Sequence, residues 1–165
     1  LKIMFQIIKL ISILFYLNFM LINHMNYKDS LDIKCMIQMS NYEGEAAYIV
    51  ISLIDSNGNY EKTLYVQGKD PEWYNEIYEW WKFYGIKRSD LSAISGATIS
   101  GGERKISIIK IPTNKIDNGY SIRFETAVED QKYFKEDLQF ELNSESVKGK
   151  FDGKGYIRYI KMMPQ

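Results

Sequence analysis

The stretch from Ala46 to Val66, AAYIVISLIDSNGNYEKTLYV, decides the fold of this chain. Its first nine residues are almost entirely apolar, which is typical of a central strand buried on both faces. The pair Asn57-Gly58 then supplies a strong signal for a tight hairpin turn. Residues 60–66 return with β-branched and aromatic side chains. The stretch therefore predicts an antiparallel hairpin at the centre of a sheet.

Further strands are predicted on both sides of this hairpin, beginning with residues 31–39, whose apolar and polar side chains alternate with period two. The other stretches with strand patterns are 105–111, 120–128, 134–142 and 155–161, with Asn118-Gly119 turning into the second of them. Together these stretches predict one mainly β domain over residues 31–163. We expect an antiparallel β-sandwich of immunoglobulin type with about seven strands.

One α-helix is predicted as an insertion between the strands. Asp70 can cap its start, Pro71 suits the first helical position, and Gly85 is expected to end it in a left-handed conformation. Apolar and aromatic side chains recur between these ends at helical spacing, namely Trp73, Ile77, Trp80, Trp81 and Tyr84. We expect the helix to cover one side of the sheet with aromatic core residues. Stacking of Trp80 or Trp81 on a cofactor is the alternative.

The composition argues against several classes of function. Lys plus Arg and Asp plus Glu number 21 each, so no net charge draws the chain to nucleic acid. Cys35 is the only cysteine and His24 the only histidine, and His24 precedes the domain. This excludes a disulfide framework, a multi-cysteine metal site and a histidine-based triad within the domain. An electron carrier or binding module is expected in preference to an enzyme, with no metal site.

Glu125, together with Glu129 and Asp130, supplies carboxylates that are candidates for acid–base groups. Strand alternation places Arg123, Glu125 and Ala127 on one face of their strand. Nothing in the sequence isolates Glu125 in apolar surroundings, as general acid or base catalysis would require. We therefore expect these side chains on a solvated sheet face.

Residues 1–26 form a separate segment. From Ile3 to Ile22 the chain is mostly apolar, and about 20 such residues suffice for a hydrophobic helix that acts as a signal peptide or membrane anchor. This interpretation predicts an extracytoplasmic or periplasmic domain. The alternative is that translation starts at Met25, which would leave the domain in the cytoplasm.

Small residues dominate the stretch from Ser92 to Gly102, SAISGATISGG. Within it, Ser95-Gly96-Ala97-Thr98 resembles the flavin-attachment motif of FMN-binding domains in the flavinylated subunits of sodium-pumping NADH:quinone reductase. In that motif a flavin transferase joins FMN to a hydroxyl group through its phosphate. The resemblance makes Thr98 the acceptor, and Gly96 and Ala97 the small residues that keep the backbone open. The acidic position of the motif falls on Ser92.

A longer pattern, from Ala46 to Asp130, resembles a bacterial family of predicted periplasmic proteins of unknown function. It comprises the hairpin, a W-x-x-x-I-x-x-W-W helix, the S-G-A-T loop and a strand with E-x-A-x-E. The resemblance implies an immunoglobulin-like sandwich related to the capping domain of flagellar hook assembly proteins. It also implies genes encoded beside flavin transferases and PepSY-type membrane proteins.

Two functions follow from these resemblances. The first is an extracytoplasmic flavin-associated redox accessory protein that carries FMN on Thr98 and works with a flavin transferase and a PepSY-type partner. The second is an immunoglobulin-like interaction module of the cell envelope without a cofactor.

Overall fold

The computed structural model describes residues 29–87, 91 and 94–165, with Gln6 and Lys9 as isolated positions. The rest of the predicted N-terminal segment, residues 1–26, lies outside the described residues, as does Ser92. The strands within the described residues are β1 (Ser30–Met39), β2 (Tyr48–Ile54), β3 (Tyr60–Gln67), β4 (Ser95–Gly96), β5 (Arg104–Pro112), β6 (Ser121–Ala127), β7 (Phe134–Glu141), β8 (Lys150–Asp152) and β9 (Ile157–Pro164).

Helical structure is concentrated between β3 and β4. A 3-10 helix at Pro71–Glu76 leads into the α-helix α1, which spans Tyr78–Lys87. Two further 3-10 helices occupy Thr113–Lys115 and Ser146–Lys148. No helix among the described residues is both long enough and apolar enough to cross a membrane.

The strands form two sheets. The first has the order β5-β1-β9-β8 and the second the order β4-β3-β2-β6-β7. The main core lies between them, because β1, β5 and β9 of the first sheet and β2, β6 and β7 of the second all contribute buried side chains to one cluster. β2 is flanked by β3 and β6, as its apolar sequence predicts. The mainly β, two-sheet architecture is thus confirmed.

The strand prediction and the structure differ in two respects. All seven predicted strands are present, but β4 and β8 add two short ones. Strands of two and three residues are too short to show a period in the sequence, which is why neither was predicted. The pairing of β4 with β3 is parallel, whereas the prediction was of antiparallel strands throughout.

The turn between β2 and β3 forms where the Asn-Gly pair predicts it. Asp55 Oδ1 accepts hydrogen bonds from the backbone N–H groups of Asn57, at 2.9 Å, and Asn59, at 2.8 Å. Gly58 has a φ of 86°, a conformation that glycine adopts without strain. The turn sets the antiparallel register of the two central strands.

The start of the helical insertion is confirmed and its end is not. Asp70 caps the 3-10 helix by accepting a hydrogen bond from the backbone N–H of Glu72 at 3.1 Å, and Pro71 is its first residue. The prediction that Gly85 ends the helix is wrong, since α1 continues to Lys87. Gly85 is absent from the glycines with positive φ among the described residues, so it never adopts the left-handed conformation of a helix end.

A second core lies between the helical insertion and the second sheet. Trp80 of α1 is fully buried, and its indole Nε1 donates a hydrogen bond of 2.8 Å to Thr63 Oγ1 on β3. The expected aromatic cover of the sheet is therefore present. The buried members of this cluster are Val50, Val66, Tyr74, Ile77, Trp80, Leu91 and Ala127.

This cover overturns the prediction of a solvated face on β6. Arg123, Glu125 and Ala127 do share a face, but their exposures are only 5%, 0% and 2%. The helical insertion and the aromatic residues of the second core lie over that side of the sheet. Strand alternation shows which residues share a face, and another element decides whether solvent reaches it.

Candidate functional site

The first half of the Ser95–Thr98 tetrapeptide belongs to the second sheet. Ser95 and Gly96 form β4 and pair in parallel with Val66 and Gln67 of β3. The backbone N–H of Gly68 donates to the carbonyl of Gly96 at 2.6 Å. These two residues are therefore held in place by the backbone of the sheet.

Packing leaves little room for a side chain at position 96. A Cβ atom there would lie 2.6 Å from Tyr65 Oη and 2.8 Å from Gln67 Oε1. Gln67 is fully buried, and its Nε2 donates a hydrogen bond of 2.8 Å to Ser107 Oγ on β5, across the two sheets. A side chain at position 96 would disturb this connection, so the glycine has a structural reason independent of any ligand.

The second half of the tetrapeptide leaves the sheet and meets solvent. Ala97 is exposed and Thr98 is half-buried. Lys105 Nζ donates to the carbonyls of Ala97, at 3.0 Å, and Thr98, at 3.5 Å. Ile99, which follows, forms an isolated bridge with Ala47. Thr98 thus lies on a short segment with restrained backbone at both ends.

Thr98 lines an open pocket of about 170 Å³. Two of the lining residues are aromatic, Tyr48 at the start of β2 and Trp73 in the 3-10 helix. The Tyr48 ring packs directly on Gly68, where a Cβ atom would lie 2.1 Å from Tyr48 Cδ1. The other lining residues are Glu45, Ala46, Glu76, Ala127 and Glu129.

Negative charge dominates this pocket. Glu45, Glu76 and Glu129 supply three carboxylates among its lining residues. Burial raises the pKa of Tyr48, and the negative charge of Asp70 raises it further. The pocket therefore favours a cationic or neutral group over an anionic one.

Attachment of FMN at Thr98 can be tested against these residues. The half-buried hydroxyl group, the small exposed Ala97 before it and the ammonium group of Lys105 behind the backbone all suit a phosphoester at this position. The three carboxylates do not suit enclosure of a phosphate within the pocket. The pocket is also smaller than the roughly 300–1,000 Å³ usual for enclosed ligands. These residues therefore suit an FMN group that is tethered at the surface, and they do not suit one that is enclosed within the pocket.

The two tryptophans predicted for stacking lie elsewhere. Trp80 is fully buried against Tyr84, with ring centroids 4.8 Å apart, and Trp81 is half-buried in the same aromatic cluster. Neither lines the pocket beside Thr98, where the rings belong to Tyr48 and Trp73. Of the predicted site residues, only Thr98 therefore lines this pocket, and Ser95, Gly96 and Ala97 do not.

The sequence carries no signal for the acidic residues of the pocket. Tyr48 and Ala127 are opposite each other in the β2–β6 register. This pairing places Glu45, just before β2, near Glu129, just after β6. The two glutamates are more than 80 residues apart in the chain, so only the strand register brings them together.

A second group of ionisable residues is buried beneath the helical insertion. Glu125 is fully buried, and Tyr133 Oη donates a hydrogen bond to its Oε2. Glu125 Oε1 and the hydroxyl of Tyr60 have no hydrogen-bond partner among the described residues. The guanidinium carbon of Arg123 lies 5.3 Å from the centre of the Tyr60 ring. Arg123 Nε donates a hydrogen bond of 2.6 Å to Gln139 Oε1.

Burial controls the protonation of this group. It raises the pKa of Glu125 from 4.5 to about 7, against the opposing effects of the hydrogen bond from Tyr133, the nearby hydroxyl of Tyr60 and the charges of Arg123 and Lys135. The pKa values of Tyr133 and Tyr60 are raised as well, first by burial and then by the charge of Glu125. The fully buried Glu125 is therefore expected to change charge near neutral pH.

No arrangement of three or more His, Cys, Asp or Glu side chains suited to holding a metal ion occurs among the described residues. Cys35 is buried, and burial raises the pKa of its thiol to about 12, which makes it a packing residue.

The described residues thus form a mainly β domain of two sheets. A helical insertion covers one sheet, and an acidic pocket lies beside the small-residue loop. The chain belongs to the family described as Predicted periplasmic protein (DUF2271), whose model matches residues 30–159. This range begins at β1 and ends within β9. The comparisons with curated proteins and with solved structures found no match.

Proposed function

We propose that this protein is an extracytoplasmic, flavin-associated redox accessory protein that carries FMN on Thr98. The observation that carries the proposal is the position of Thr98, which ends a motif-like tetrapeptide and lines a pocket with Tyr48 and Trp73. When bound, FMN supplies the electron transfer, and the protein supplies attachment and orientation. The periplasmic family agrees with the location that such a role requires.

The attachment step is a phosphoryl-type transfer without a change of oxidation state. Thr98 Oγ1 forms the bond to the phosphorus of the FMN half of a flavin dinucleotide. The bond between that phosphorus and the leaving mononucleotide breaks, and the hydroxyl proton passes to a base of the transferase. Lys105, with its Nζ 3.0 Å from the carbonyl of Ala97, offsets part of the negative charge of the product.

Two partners follow from this proposal. A flavin transferase must reach Thr98, and the exposed Ala97 and half-buried Thr98 give it access. A PepSY-type membrane protein is the proposed redox partner, which rests on the resemblance described above. Tyr48 and Trp73 are the proposed contacts for the flavin ring, since flat aromatic rings stack on such side chains.

Mass spectrometry of the intact protein tests the attachment. The full chain is co-expressed with a flavin transferase, and the expected result is a mass increase of one FMN phosphoester in the wild type and in Thr98→Ser. Thr98→Val keeps the shape of the side chain without its hydroxyl group and should gain no mass. An unmodified wild type, or a Thr98→Val variant that is modified equally, would overturn the proposal.

A cofactor-free, immunoglobulin-like interaction module is the second candidate, and the charge of the pocket favours it. Three carboxylates beside two aromatic rings suit a lysine or arginine side chain of a partner protein. The double variant Glu76→Gln/Glu129→Gln separates the candidates. It should weaken the binding of a short arginine peptide if the pocket binds a partner. It should leave flavin incorporation unchanged or faster if Thr98 is the acceptor.

A further inference from the structure

The outward face of the first sheet carries an exposed apolar stripe. Ile106 and Ile108 on the edge strand β5 are 56% and 51% exposed, unusually high values for isoleucine. The register places Met36 of β1 opposite Ile106. It also places Met163 of β9 beside Lys34, which itself faces Ile108. We call the surface formed by these outward side chains of β5, β1, β9 and β8 the outer face.

Basic residues flank and interrupt this stripe. The outward positions of the same four strands include the cations Lys34, Arg104, Lys110, Lys150 and Lys161. Their acidic counterparts on this face are Asp32, opposite Lys110, and Asp152, opposite Tyr159. The whole chain has a formal net charge of zero, so the excess of cations is a local property of this face.

We propose that the outer face docks the domain on an anionic lipid surface. Apolar side chains interspersed with lysine and arginine are the combination that interfacial binding needs, since neither a few apolar residues nor a few charges hold a protein there alone. The corresponding face of the second sheet is covered by the helical insertion, so it offers no such surface. This inference does not depend on FMN.

Chain geometry favours a lipid surface over a protein partner as the occupant. Ser30, the first residue of β1, follows Ile22, the last residue of the apolar stretch, by eight residues. Eight extended residues span at most about 28 Å. The membrane anchor predicted from the sequence would therefore keep the first sheet within reach of lipid headgroups.

A polarity-sensitive fluorophore at position 108 tests the proposal. The full chain with Ile108→Cys is labelled and reconstituted in vesicles of phosphatidylcholine alone or mixed with phosphatidylglycerol. Cys35 is fully buried, so the label attaches at the new thiol. Lys62→Cys, at an exposed position on β3 of the other sheet, is the matched control label.

The expected result is a blue shift at position 108 that requires phosphatidylglycerol and disappears in high salt, with no shift at position 62. In the labelled protein, Lys34→Glu and Lys161→Glu should each lower the ratio of docked to undocked protein about tenfold. Lys62→Glu makes the same change of charge on the other sheet and should leave that ratio unchanged.

Three results would overturn the proposal. A probe at position 108 that stays in water in both kinds of vesicle excludes lipid docking. An equal shift with and without phosphatidylglycerol excludes recognition of anionic lipid. A shift that grows with protein concentration in the absence of vesicles assigns the outer face to a second copy of the chain.

Discussion

Asp137 on β7 accepts a hydrogen bond of 3.0 Å from the backbone N–H of Ile157 on β9, and this bond links the two sheets. The same carboxylate accepts from the backbone N–H groups of Lys154, at 2.9 Å, and Gly155, at 2.8 Å. Thr126 Oγ1 donates to it at 2.7 Å. Asp137 is fully buried, and these four donors offset the cost of burying its charge.

Replacement of Asp137 by asparagine should destabilise the fold strongly. The amide presents donors where the carboxylate oxygens now accept, so at least one buried backbone N–H loses its partner. We expect a loss of about 3 kcal/mol in the free energy of unfolding, measured by urea titration. Asp152→Asn, at an exposed position, is the control and should change stability little. Equal stability of the two variants would contradict the role given to Asp137.

Gly85 lies inside α1, so its replacement by alanine should stabilise the protein. A Cβ atom there would lie 3.7 Å from Trp81, an ordinary contact distance. Alanine favours the helix by about 0.5–1 kcal/mol over glycine, and thermal unfolding should show that gain. Gly58→Ala makes the same chemical change where φ is 86° and should destabilise instead. A loss of stability in Gly85→Ala would mean that the helix ends at Gly85 after all.

The strands were predictable because local chemistry determines them. Period-two alternation places β1 within one residue of its observed start, and the Asn57-Gly58 turn sets the β2–β3 hairpin. Asp70 and Pro71 likewise indicate the start of the helical insertion from a few residues of sequence. Each of these signals acts over fewer than ten residues, so no tertiary contact is needed to interpret it.

Only the part of the candidate site that belongs to a sequence motif was predictable. Thr98 was predicted from a resemblance, whereas Tyr48 and Glu129 reach the same pocket through the β2–β6 register. Glu125 is expected in solvent because nothing in the sequence isolates it in apolar surroundings, and the cover supplied by Trp80 and its neighbours cannot be inferred from β6 itself. Long-range packing determines both the pocket lining and the burial of Glu125, and the local pattern of the sequence does not reveal such packing.

Replacement of Gly96 by alanine should destabilise the fold even without flavin attachment, because the site has little room for a side chain. The added Cβ would approach Gln67 Oε1 to 2.8 Å, and Gln67 is held by its bond to Ser107. We expect a loss of roughly 1–3 kcal/mol in a chain that has never been flavinylated. Ala97→Ser, at the exposed neighbouring position, should be neutral in the same denaturation experiment. If Gly96→Ala were neutral too, the glycine would need a functional explanation.

The raised pKa of Glu125 should make the protein less stable as the pH rises from about 4.5 to about 7. The unfolded carboxyl group titrates near 4.5 and the folded one at about 7, so the folded state holds the extra proton between these values. Stability therefore falls across this window by on the order of 3 kcal/mol. Urea denaturation at several pH values between 4 and 8 measures the loss.

Two variants assign this pH dependence to its source. Glu125→Gln cannot titrate and should flatten the profile while raising stability at pH 8 relative to the wild type. Tyr133→Phe removes a hydrogen bond that lowers the pKa of Glu125, so it should move the loss of stability to higher pH. Glu141→Gln, an exposed carboxyl on β7, is the matched control and should reproduce the wild-type profile. A profile unchanged in Glu125→Gln would place the titrating group elsewhere in the chain.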